Sequence, residues 1–145
     1  MIFMDYLVDG QDKVLGRLAS QVAKLLLNEN KVSVINAEKI VITGHKRDLH
    51  DKYYRLVELK DKANPEHSPY WPRRPDMFVK RVIRGMLPYK RPKGKAAFDR
   101  LRVYVGAPEE VKKAKAFNVE SKPPKQIFEN IFTVKQLTEG LGYKR

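Results

Sequence analysis

Nine cations crowd into one short stretch of this chain, and their chemistry is that of a surface that neutralises phosphates. They are Arg73, Arg74, Lys80, Arg81, Arg84, Lys90, Arg91, Lys93 and Lys95. Lysine and arginine heads in excess of carboxylates attract polyanions and donate charge-assisted hydrogen bonds to their oxygens. On a helix turning about 100° per residue, Lys80, Arg81 and Arg84 fall opposite Val79, Val82, Ile83 and Met86. One face is read as packed, the other as offered to a ligand. Aromatic residues interleave with the cations: Tyr70, Trp71, Phe78, Tyr89 and Phe98. Phe78 and Phe98 are read as core. Trp71 and Tyr89, each beside proline and near arginine, are candidates for stacking on a base or sugar. Residues 89–95 read as a loop in which Pro92 and Gly94 permit close approach to a phosphate surface. His45, Lys46 and Arg47, just past Gly44, form a second-tier group of candidates for RNA contact.

Other chemistries find less support. The first strand–helix junction, Gly10-Gln11-Asp12-Lys13-Val14-Leu15-Gly16, fits neither glycine-rich phosphate cradle, and Asp12 opposes a phosphate there. His45 and His50 lie five apart, which does not place two ligands on one helical face. His67 stands in a proline-rich loop without a partner in view. With no cysteine in the chain, disulfides and thiolate zinc sites are excluded, in keeping with a reducing cytoplasm. No catalytic residues, metal or cofactor are assigned.

The elements that must position the cations follow from periodicity. The 145 residues fit a single domain. A first strand at residues 6–9, a helix carrying Leu15, Leu18, Val22, Leu25 and Leu26, and a strand at 31–36 make a βαβ unit with parallel strands. A further short extended piece covers 39–44, and 47–60 is helical or irregular. Four prolines make 63–75 a loop. The basic helix spans 76–87, with Pro75 just before it, Asp76 as cap or favourable charge, and Pro88 as stop. A short helix at 95–101, a strand at 102–106, a charged helix at 109–117, an extended linker at 121–125 and a final helix at 133–141 complete the reading. Strands alternating with helices argue for a layered α/β sheet with helices on both faces.

The charge is concentrated. Residues 73–102 hold eleven Lys/Arg against Asp76 and Asp99, a net +9 of the chain's +13. A membrane-surface helix needs a long apolar face with Trp, Phe or Leu, and the short Val/Ile/Met face does not supply one. No apolar run approaches the ~20 residues of a membrane span, and no secretory signal is expected. No helix-turn-helix, zinc-finger, RRM or KH signature is present, so the sequence points to a binder of structured RNA that recognises shape.

Val82-Ile83-Arg84-Gly85-Met86-Leu87-Pro88, then Gly94, then Leu101-Arg102-Val103-Tyr104-Val105-Gly106-Ala107-Pro108 resemble the signature region of the ribosomal protein L13 (uL13) family. Leu15-Gly16-Arg17-Leu18-Ala19-Ser20 and Val34-Ile35-Asn36-Ala37-Glu38-Lys39-Ile40 are similar to that family's first helix and second strand with its turn. The likeness runs in order over residues 5–108, in the style of the archaeal–eukaryotic branch and most like an archaeal member. Residues 48–69 depart from the bacterial pattern, so no contacts are carried over there. The resemblance implies a three-layer α/β/α domain with a small, mostly parallel sheet and an extended C-terminal tail, with 1–108 as the rRNA-binding core and 109–145 as an extension. It implies a cytoplasmic structural constituent of the large ribosomal subunit that organises large-subunit rRNA during assembly. Its partners are that rRNA and neighbouring ribosomal proteins, with no membrane, no small-molecule substrate and no catalysis. Two other readings stay open on the residues alone: a nucleotide-dependent enzyme on an α/β core, and a regulatory RNA-binding protein acting off the ribosome.

Overall fold

Strand β1 (Asp5–Asp9) turns through Gly10–Lys13 into helix α1 (Leu15–Leu27), which buries Leu15, Leu18, Ala19, Val22, Ala23 and Leu26 at helical spacing. The computed structural model describes residues 4–120 and 131–144. Asn28 closes α1, and Glu29, at a φ of 64°, turns the chain back into β2 (Lys31–Ile35). A 3₁₀ turn at Ala37–Lys39 leads to β3 (Val41–Ile42) and α2 (Lys46–Glu58). The proline-rich connection, with one 3₁₀ turn at Pro65–His67, ends at α3 (Pro75–Gly85), followed by α4 (Pro92–Asp99) and β4 (Leu101–Val103). A 3₁₀ segment at Glu109–Lys113, β5 (Lys115–Ala116), β6 (Phe132–Thr133) and α5 (Val134–Gly140) complete the described chain. The expected linker at 121–125 lies outside the described residues.

The four-stranded sheet has the order β4-β2-β1-β5 and is parallel throughout. Asp5 to Asp9 pair with Lys31 to Ile35, as the strand–helix–strand order requires. The register sets Val8 beside Val34 and Val32 beside Leu101, and all four are fully buried. Helix α1 packs against both α3 and α4 over this apolar face. The opposite face carries Asp5, Lys31, Ser33 and Arg102 and shares a depression with Glu110 and Val111 of the 3₁₀ segment and Ala114 just after it. The α/β class with a small parallel sheet is therefore as expected, and among the described residues the 3₁₀ segment borders the second face. The charged stretch at 109–117 is not an α-helix: five residues make a 3₁₀ turn, and Lys115–Ala116 extend to pair with Tyr6–Leu7. A helix there would leave the outer edge of β1 without hydrogen bonds, which the strand supplies.

Helix α3 buries Pro75, Phe78, Val79 and Ile83, a stripe at i, i+3, i+4 and i+8. Three details differ from the expected helix. Pro75 is its first residue, where a missing N–H costs nothing. Asp76 is not the cap: Arg74 holds that position, and the Asp76 carboxylate accepts from Arg74 Nη2 at 3.0 Å. Met86, one residue past the helix, is 42% exposed rather than packed. The segment 89–95 is only half a loop, because α4 starts at Pro92 and takes in Lys93, Gly94 and Lys95. Gly94 is required by packing. A Cβ there would collide with the Pro88 carbonyl and lie 2.9 Å from Tyr89 N, so α4 and the preceding turn touch backbone to backbone.

The C-terminal residues return to the core. β6 pairs antiparallel with β3 in a second, two-stranded sheet, which is where the expected extended piece at 39–44 finds its partner. Thr133 and Gln136 close a capping box at the start of α5. Phe132, Val134, Leu137 and Leu141 are buried with the rest of the core.

Phe78→Ala is expected to lose about 3–5 kcal/mol of folding stability in urea unfolding. Gly94→Ala is expected to cost about 2 kcal/mol, since backbone, not a flexible side chain, must give way. Gly85→Ala, where an added Cβ meets nothing within 4 Å, should instead gain about 0.5 kcal/mol. Equal effects of the two glycine changes would refute the close packing of α4 on the turn.

Candidate nucleic-acid interface

The outward side of α3 is built on aromatic rings. Phe78 meets Tyr53 of α2 edge-on at 5.0 Å and Trp71 at 6.1 Å, and Tyr53 and Trp71 lie 5.7 Å apart. This triangle fastens α2 and the end of the proline segment to the basic helix. Burial raises the Tyr53 phenol above its ordinary range, so it stays a neutral packing group. The cations rest on neighbouring rings. Arg81 lies 5.4 Å over Trp71, Lys80 4.9 Å over Phe98 and Arg84 4.9 Å over Tyr89. Tyr89 in turn stands edge-on to Phe98 at 5.4 Å. Each pairing is worth about 0.5–1 kcal/mol at such exposure. It orients the cation without neutralising it.

No described carboxylate pairs with these cations either. Among the described residues the ion pairs are His50–Asp51, Arg74–Asp76 and Lys135–Glu139. None engages Arg73, Lys80, Arg81, Arg84, Lys90, Arg91, Lys93 or Lys95. Three adjoining clefts join most of this set. One, of about 760 Å³, runs from Trp71 past Arg81 and Arg84 to Tyr89, Lys90 and Arg91. A second, of about 670 Å³, sets Arg73 and Arg74 beside Trp71 and Met77. A third, of about 360 Å³, sets Lys80, Arg81 and Arg84 beside Tyr70 and Phe98. Lys93 and Lys95 are exposed on α4 to either side of buried Gly94, outside the three clefts.

The remaining candidates sit apart or inside. His45, Lys46 and Arg47 are exposed at the start of α2, where Lys46 lies 5.8 Å over Phe132 of β6, and they line none of the clefts around α3. Trp71 is half-buried, wedged between Tyr53 and Phe78 under Arg81, whereas Tyr89 is 38% exposed. Phe78 is fully buried as expected, whereas Phe98 is half-buried, packed against the core on one side and lining the third cleft under Lys80 on the other. Two cations of the basic block serve the fold. Arg100 donates to Leu26 O at the end of α1, and Arg102 to the carbonyls of Asp99 and Leu101. Met77 stands with Lys80, Arg81 and Arg84 as well, since its spacing of three, four and seven from them places it on the cationic face. It is 46% exposed, and Tyr70 beside it is 81% exposed.

A doubly wound sheet binds nucleotides beyond the carboxyl ends of its strands, where the strand order reverses. Here that point lies between β1 and β5, and the protein's own chain fills it. Lys13 Nζ donates to Val119 O at 3.1 Å, and Val119 is 2% exposed. The Asp9 carboxylate accepts from Gln11 N at 3.0 Å and from Asn36 Nδ2 at 2.9 Å. A Cβ on Gly10 would come within 2.7 Å of Ile40, so this glycine serves packing rather than phosphate approach. Among the described residues no group of three His, Cys, Asp or Glu side chains is placed to hold a metal. No described helix is long and apolar enough to cross a membrane.

Known proteins agree on one family. A family model described as Ribosomal protein L13 matches residues 4–110. The large ribosomal subunit protein uL13 of Methanococcus maripaludis is 44% identical over 138 residues, covering 94% of this chain and 97% of its own. Those of Methanococcoides burtonii and Methanocaldococcus jannaschii are 42% and 41% identical over 138 residues, with the same coverage. All three are archaeal. The match runs through both halves of the α/β core and across α3 and α4, and by it the chain belongs to the ribosomal protein L13 family.

Proposed function

We propose that the chain is a structural constituent of the large ribosomal subunit that binds and organises large-subunit rRNA through α3 and the turn and helix behind it, and that it acts in subunit assembly in the cytoplasm. The observation that carries this reading is the unneutralised set on α3: Lys80, Arg81 and Arg84, each seated on an aromatic ring and none facing a carboxylate among the described residues. Like charges held this close repel one another until an anion arrives. A folded RNA brings phosphates at the density the surface needs, and each one contacted releases counterions. Arg73, Arg74, Lys90, Arg91, Lys93 and Lys95 extend the same surface, with His45, Lys46 and Arg47 as a separate outer contact. Residues 1–108 are the binding core. Residues 109–145 are an extension that clasps it through β5, β6 and α5 and meets neighbouring ribosomal proteins.

The relatives carry the name of a ribosomal protein, not of an enzyme, and the non-enzymatic reading rests on that.

Charge reversal is unnecessary to test the surface. The pair Arg81→Gln and Arg84→Gln should weaken binding to large-subunit rRNA about 10–100-fold and lower the slope of log K against log salt by roughly one per charge removed, with an unchanged far-ultraviolet spectrum. Arg100→Gln should leave the slope alone and instead cost about 1.5 kcal/mol in unfolding, because its guanidinium serves Leu26 O. An unchanged affinity in the double variant would remove α3 from the interface.

A further inference from the structure

We propose that the cleft between Trp71 and the turn after α3 receives one unpaired nucleotide of the RNA, the base inserted and its flanking phosphates held on the rim; this rests on the RNA-binding reading above. The cleft is about 760 Å³. Its wall is apolar where Val82, Leu87 and Pro88 contribute to it, and its rim is cationic, with Arg81, Arg84, Lys90 and Arg91. A base-paired RNA helix turns phosphates and sugars outward and keeps its base faces stacked inside. It would engage the rim and leave the apolar wall empty. An extruded nucleotide complements both, because it carries a flat apolar face between two phosphates.

The rim is prepared for this occupant. The Arg84 guanidinium lies 4.9 Å over Tyr89 and that of Arg81 lies 5.4 Å over Trp71. A planar cation already held against a ring, as Arg84 is against Tyr89, loses little freedom when a phosphate meets it. An independent observation comes from the indole. Trp71 Nε1 is closed off from water and has no hydrogen-bond acceptor among the described residues. A buried donor left unpaired is costly, and it gains a partner if an acceptor reaches it. Arg81 covers the indole with a long, flexible side chain. Drawn onto a phosphate, it would open Nε1 to the carbonyl or ring nitrogen of an inserted base. An acidic protein segment fits the rim less well, since its charges ride on the side chains that would have to enter the cleft.

Trp71 is the chain's only tryptophan, so its emission reports on this cleft. The full chain is titrated with a perfectly paired RNA hairpin, the same hairpin carrying one bulged 2-aminopurine nucleotide, and a polyglutamate peptide. The expected result is about tenfold tighter binding of the bulged hairpin, with quenched Trp71 emission and a matching change in 2-aminopurine emission. Trp71→Phe, which keeps a ring against Tyr53 and Phe78 but removes the N–H, should lower the bulged hairpin's advantage about fivefold. Should that variant not fold, the 2-aminopurine signal with the unmodified chain decides. Equal affinity for both hairpins with unchanged Trp71 emission would overturn the nucleotide site and leave RNA binding standing. Failure to bind either hairpin would strike the RNA-binding reading itself, and this site with it. Quenching by polyglutamate and not by the bulged hairpin would assign the cleft to an acidic protein and overturn the proposal.

Discussion

Helix α3 must bury one face while holding on the next three cations that no described carboxylate pairs, and the contact of Phe78 with Tyr53 and Trp71 is what reconciles the two. Phe78 is fully buried and touches both rings. It thereby sets the rotation of the helix about its axis. That rotation decides where Lys80, Arg81 and Arg84 emerge, because helical side chains keep fixed angular offsets from one another. The rings that lock the helix also lie close to its cations, and Trp71 belongs to both sets. Core packing and surface chemistry are thus one construction. The α2 helix, with no fully buried residue of its own, takes part through Tyr53.

The electrostatic consequence is a surface under like-charge strain. Cation–π contacts orient Lys80, Arg81 and Arg84 but leave their charge intact, whereas an ion pair would neutralise it. Other cations have partners within the chain. Arg74 pairs with Asp76, Arg100 donates to the end of α1, and Arg102 ties down the start of β4. The difference between the two groups is local. Carbonyls and a carboxylate stand within reach of the second, while aromatic rings underlie the first.

The sheet follows a different economy. Its strand order creates the crevice in which many α/β proteins hold a nucleotide, yet Lys13 reaches across to Val119 and closes it. Asp9 and Asn36 brace the neighbouring turn, with Asn36 at a φ of 55°. A layout suited to cofactors here serves rigidity, which is what a platform for a charged helix requires, and it illustrates that a fold does not dictate a function.

Much of this was legible in the residues. The apolar spacing of 15–26, the parallel pairing it forces between β1 and β2, and the two-faced character of α3 follow from periodicity, because local backbone geometry alone decides which side chains share a face. The concentration of charge in residues 73–102 needs no structure to be seen. What the sequence left open depends on partners distant along the chain. Lys115–Ala116 look helical until β1 offers an edge, and Val41–Ile42 acquire a partner only when Phe132–Thr133 come back to them. Gly94 reads as a loop residue until the Pro88 carbonyl is found where its side chain would be. Trp71 reads as a free stacking ring until Tyr53, Phe78 and Arg81 are seen around it. The sequence by itself determined the α/β class and the basic helix, since these rest on spacing and net charge. Only the tertiary structure decided which cations remain available and which rings hold them, because pairing and burial are set by residues that meet across the fold.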